Sequence, residues 1–270
     1  MRLEQNGDRY YILMSFDIFR SYEVANNRFM NTTAADASQI DVGLRSYMLG
    51  VYNHMTIALL FSGLFAFGTK MLTTVTGPDG GLYLTSFGQL IYASPLKWVV
   101  MLAPLGMVFW LSARMNSMSA SKARTMFYVY SALMGLSLSS ILLTFSMPSI
   151  ARAFFVTAGA FAALSLYGYT TKRSLSALGS FLMIGLFGLI IASVVNIFMA
   201  STAMQFMISV GGVLIFAGLT AYDTQDIKNM YRAGDSAEVS AKKSIFGALR
   251  LYLDFINMFL FILQLFGNRE

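Results

Sequence analysis

Seven stretches of this chain are apolar for about the length that a helix needs to cross a bilayer. They run over roughly residues 46–69, 96–113, 125–146, 149–170, 176–200, 203–222 and 245–267. A span takes about 20 residues at a rise of about 1.5 Å each. In lipid, every backbone N–H and C=O must be satisfied within the segment, so runs of this kind become helices. The pattern predicts an all-α, polytopic membrane protein, a bundle of seven transmembrane helices. Composition agrees: 12% of residues are charged and 56% hydrophobic, where a soluble domain carries about 25% charge. There is no cysteine, which excludes disulfides, thiolate metal sites and cysteine nucleophiles. The net charge of +6 calls for no nucleic acid, because the cytoplasmic ends of membrane helices are basic on their own. The expected partner is the lipid bilayer.

Two domains follow from the hydropathy. Residues 1–44 are mixed and polar and read as a weakly ordered cytoplasmic tail; residues 45–270 carry all seven spans. The apolar insert "YYILMSF" is too short for a signal sequence and is followed at once by Asp17. Met14 is a second candidate start, which would make residues 1–13 an upstream extension. Lys and Arg set the orientation. Arg2, Arg9, Arg20, Arg28, Arg45, Arg114, Lys122, Arg124, Lys172, Arg173, Lys228, Arg232, Lys242 and Lys243 fall on one side; Lys70, Lys97, Arg152 and Arg269 fall on the other. That asymmetry places the N-terminus in the cytoplasm and requires an odd number of spans. A six-span alternative would make the last segment a half-inserted hairpin. The Gly-rich stretch 77–95, "GPDGGLYLTSFGQLIYASP", reads as an external loop with a short interfacial piece.

Charge inside a span is costly, about 2.5–3.5 kcal/mol on insertion scales, and marks a functional candidate. Asp223 and Asp254 stand out, with Arg250 and His54 behind them. At 100° per residue, Gln205, Ser209, Gly212, Phe216, Thr220 and Asp223 fall within about 80° of arc on segment six. Arg250, Asp254, Asn257, Phe261 and Gln264 do the same on segment seven. Narrow polar stripes turn inward, towards each other or a wet cavity. Two carboxylates brought together cannot both ionise cheaply, so they share a proton. Doubly ionised, they offer hard oxygen ligands that suit Ca²⁺. The blander readings stay open. Asp223 near a helix end is interfacial or paired with Lys228 or Arg250, and Asp254 with Arg250 is a structural ion pair. His54, beside Asn53, reads as a hydrogen-bonded interior residue. The small residues Gly185, Gly188, Ala192 and Asn196 on segment five read as a close-packing face, and the 19 methionines as adaptable packing.

"AGLTAYDTQDIKNMY" (217–231) and "LYLDFINMFLFILQLFG" (251–267) resemble the sixth- and seventh-helix signatures of the Bax inhibitor (transmembrane Bax inhibitor motif) family. The resemblance covers residues 45–270 and is best with the bacterial branch. It implies a seven-helix bundle of the inner membrane with a pH-sensitive calcium leak, gated by a proton-sharing aspartate pair, here Asp223 and Asp254. It also implies an arginine at the cytoplasmic end of helix two that latches the pair. Arg114 in "FWLSARMNS" occupies the comparable stretch, and Arg250 is a second candidate latch. Asn257, Thr220 and Gln205 would be the polar lining. No cofactor is expected, with calcium and protons as the permeant or bound ions.

The competing readings are a proton-driven ion exchanger that uses the same pair, and a regulatory protein that binds a membrane protease or quality-control partner. An enzyme is not expected. A zinc protease helix needs two histidines, and the chain has one. A Gly-x-Ser-x-Gly elbow and a Schiff-base lysine in segment seven are both missing. Asp254 follows "LYL", where an aspartyl intramembrane protease has Gly-x-Gly.

Overall fold

The computed structural model describes residues 42–268. The expectations about the tail over residues 1–41 and about Met14 as the start lie outside the described residues. Tyr47–Glu270 form one compact unit, and the packing below belongs to it. Seven helices are long and apolar enough to span a membrane. They are α1 (Val42–Thr73), α2 (Leu96–Arg114), α3 (Ala120–Leu138), α4 (Met147–Thr170), α5 (Ser176–Met199), α6 (Thr202–Met230) and α7 (Ala237–Phe266). A further turn, Ile141–Thr144, extends the third span. α2 stays continuous through Pro104. α7 is one unbroken helix, so the half-inserted hairpin of the six-span alternative is overturned.

Hydropathy marks where the membrane ends, not where the helix ends. α6 runs to Met230, well past the expected 222, and α7 begins at Ala237, well before 245. Their ends are set by caps. Ser119, Ser201 and Ser236 accept from the backbone N–H of Lys122, Met204 and Val239 and so start α3, α6 and α7. α5 stops at Ala200, which is left-handed (φ 48°). Asn196 secures that turn. Its carbonyl accepts from Ala200 N, its Oδ1 from Ser201 N, and its Nδ2 donates to Gln205 Oε1. Asn196 therefore clamps a turn rather than a helix contact. Of the small stripe it was read with, Gly185 abuts Ile215 while Gly188 faces open space.

Between α1 and α2, where the sequence suggested a loop with a short interfacial piece, the structure places a β-hairpin followed by short helical turns over Ser86–Gly88 and Gln89–Ala93. β1 (Thr74–Thr76) pairs antiparallel with β2 (Leu82–Leu84). The turn uses Gly80 at φ 78°, a conformation that glycine adopts without cost. Asp79 ties it by accepting from Gly81 N and from the Tyr83 hydroxyl. That hydroxyl holds the exposed Asp79 carboxyl below the usual range.

α7 is the centre of the bundle. Of its most apolar window 67% is buried, against 11–28% for the other six spans. It packs against α3, α4 and α6. α1 reaches it too, since Ser62 Oγ meets the Tyr252 hydroxyl at 2.7 Å while donating to Ser131 O of α3. Elsewhere α1 is tied to α4 through Tyr52 and Ser165, and to α3 through His54 Nδ1 and the Tyr128 hydroxyl at 2.8 Å. His54 is thus a half-buried, hydrogen-bonded residue away from the acid pair.

Candidate functional site

α6 and α7 set their polar stripes face to face. At the outer end, Gln205 Nε2 donates to Gln264 Oε1 at 2.9 Å, and Ser209 Oγ approaches the same oxygen at 3.2 Å. Next, Gly212 leaves room for the Phe261 ring, which stacks on Phe216 with centroids 6.0 Å apart. Thr220 does not line an open path. It is fully buried and its hydroxyl bonds back to Phe216 O. Gln205 likewise closes the seam with Gln264 and Asn196.

At the cytoplasmic end lies a charge cluster. Arg250 grips Asp223 in fork fashion, Nη2 to Oδ1 at 2.5 Å and Nε to Oδ2 at 3.2 Å. Its Nη1 bonds Asp226 Oδ2 at 2.5 Å. Asp226, beyond the expected end of segment six at 222, is the third member. It is i+3 from Asp223, so it lies on the same helix face, and because α6 continues to Met230 that face continues too. The i+3 spacing was the available signal, masked by placing the helix end at 222. Asp223 sits seven residues inside α6 rather than at its edge.

Asp254 is 4% exposed. Its carboxyl meets that of Asp223 side chain to side chain, yet its Oδ2 is buried with no hydrogen-bond partner. Asp223, Arg250, Asp254 and Asn257 border a cavity of about 640 Å³ whose opposite wall is α5. Asn257 gives its amide N–H to Leu253 O.

Arg114 is exposed at the end of α2 and joins no ion pair among the described residues. The arginine at the aspartates is Arg250. Lys228 does not pair with Asp223 either. It donates to Tyr169 O and sits 4.9 Å over the Tyr169 ring. Among the described residues, no group of three or more His, Asp or Glu side chains is arranged to hold a metal. Both oxygens of Asp223 are engaged by Arg250. Asp254 and the carbonyl of Asn257 supply far fewer than the six to eight oxygens of a resident Ca²⁺ site.

The fold and this cluster define a class: a seven-span helical membrane protein with an acid pair buried between its last two helices. Comparison with known proteins places it. The profile of the family described as "Inhibitor of apoptosis-promoting Bax1" matches residues 44–270. The inner membrane protein YbhL of Escherichia coli is 43% identical over 231 residues, covering 84% of this chain and 94% of YbhL. Protein RP147 of Rickettsia prowazekii is 42% identical over 239 residues, covering 88% of this chain and 96% of the relative. YrjE of Lactococcus lactis is 39% identical over 239 residues, covering 88% and 97%. The chain belongs to the Bax inhibitor family, as an integral protein of the bacterial inner membrane.

Proposed function

We propose that the protein is a pH-sensitive cation leak pathway, with calcium as a permeant ion, gated by the Asp223–Asp254 pair and latched by Arg250. The observation that carries this reading is the unsatisfied, buried carboxylate oxygen of Asp254, beside Asp223 at the edge of a large cavity. A buried charge without a full set of partners is costly and persists where it has work to do. With one proton on the pair, Asp223, Asp226, Asp254 and Arg250 sum to −1; without it they sum to −2. Loss of the proton therefore strengthens the pull on a cation, so flux rises with pH.

The test is calcium flux in proteoliposomes between pH 5 and 8. An Asn side chain has the charge and nearly the shape of a protonated Asp. Asp254→Asn should hold at pH 8 the flux that the native protein shows at pH 5, and Asp223→Asn should also flatten the profile. Native pH dependence in both variants would sink the gating role. Obligatory exchange against protons would make the protein an exchanger. No flux in any form would leave the binding of a membrane protease or quality-control partner as the better reading.

A further inference from the structure

The cavity beside Asp254 is not a closed chamber. α5 packs along α6 and α6 along α7, with no comparable seam between α5 and α7. The cavity fills that gap. Its α5 wall carries Met183, Leu186, Ile190, Val194 and Ile197, a stripe of about 21 Å along the helix axis. That is roughly two thirds of the hydrocarbon thickness. Ile190 and Val194 remain half exposed, so the wall is reached from the bilayer side.

The two ends of the cavity differ in chemistry. Towards Ile197 and Phe261 it is apolar. At the cytoplasmic end stand Asp223, Arg250, Asp254 and Asn257. Arg250 is committed to Asp223 and Asp226 through three hydrogen bonds. Asn257 must turn its amide nitrogen to Leu253 O, since a carbonyl only accepts. Asp254 lines this end, with its Oδ2 buried and without a hydrogen-bond partner, beside the side-chain amide of Asn257. Three acids against one base leave this end negative.

We propose that the cavity binds a single-chain amphiphile with an ammonium headgroup, which enters from the bilayer between α5 and α7. Its head lies on Asp254 and Asn257 and its chain along the α5 stripe. An ammonium group has three donors and no acceptor, so it supplies the hydrogen bond that Asp254 Oδ2 lacks and offsets the excess charge. A fatty acid fits the same stripe, but its carboxylate would add charge to an end that is already negative. A phospholipid headgroup brings a phosphate to the same acids. The inference rests on Asp254 as the centre of the proposed site, not on ion conduction.

The test uses the full chain in phosphatidylcholine nanodiscs. Native mass spectrometry compares retention of dodecylammonium, dodecanol and dodecanoate. Dodecylammonium should be retained about tenfold more than either, the scale of one charge-assisted hydrogen bond. Asp254→Asn and Ile190→Trp should each reduce it about tenfold, the first at the head and the second by filling the gap. Equal retention of the alcohol and the amine overturns the proposal, as does unchanged retention in the Ile190→Trp protein. Amine binding that depends on Asp254 and Ile190 without any ion flux would remove the leak reading and keep this one. A pH-gated flux without amine binding would do the reverse.

Discussion

Arg250 is the residue on which the site turns. Its side chain is 22% exposed and serves two acids on the neighbouring helix. Breaking a buried pair from one side leaves the other charge uncompensated, at about 3–5 kcal/mol for full burial. Partial exposure puts Arg250→Gln below that range, at about 2–3 kcal/mol. Asp226, whose side chain is 36% exposed, should lose only about 0.5–1 kcal/mol as Asn. Denaturation of the two variants in the same detergent checks the order; equal losses would mean that Asp226, not Asp223, carries the arginine's contribution. Sequence alone made Asp223, Asp254 and Arg250 legible, because ionisable groups are rare in apolar runs. It did not show which arginine meets the acids. Arg114 and Arg250 carry the same charge, and only the packing of α6 on α7 brings one of them within reach.

Among the elements, α4 and α6 approach closely at Gly168. A Cβ on Gly168 would collide with the backbone carbonyl of Ala221, and backbone cannot swing aside as a side-chain end can. Gly168→Ala should therefore force the helices apart, at roughly 1–3 kcal/mol. It should also disturb the link between Ser165 and Thr224, whose hydroxyls are 3.0 Å apart one turn from the contact. Gly159 on the same helix meets nothing within 4 Å, and Gly159→Ala should be neutral or stabilising by up to about 1 kcal/mol. Thermal midpoints of the pair decide it, and a destabilised Gly159→Ala beside an unaffected Gly168→Ala would refute the account. Element number and type were readable here because lipid allows few alternatives. Helix ends were not, since beyond the membrane the ladder continues until a cap such as Ser236 begins or ends it. The hairpin was hidden for a related reason. Two three-residue strands around "GPDGG" carry too little periodicity to separate from a loop.

For the whole molecule, the count of crossings decides which face each end of the chain occupies, and the structure holds a local witness. Asn268, just past α7, donates its backbone N–H to Ser149 Oγ and accepts from Ser146 N at the start of α4. α4 starts on the face opposite the basic 2–3, 4–5 and 6–7 connections, so α7 has crossed fully and the end of the chain lies outside. The absence of native cysteine makes this directly measurable, because a single introduced thiol is the only one to label. Pro78 in the hairpin turn, Ala233 between α6 and α7, and Asn268 are all exposed. With a membrane-impermeant maleimide on intact spheroplasts, Pro78→Cys and Asn268→Cys should label at once, and Ala233→Cys only after permeabilisation. A protected Asn268→Cys beside a labelled Pro78→Cys would restore an even number of crossings. It would put the cluster of Asp223, Asp226 and Arg250 at the mouth of a re-entrant loop, where water rather than protein would have to stabilise its charges. The continuous, two-thirds buried α7 argues against that arrangement.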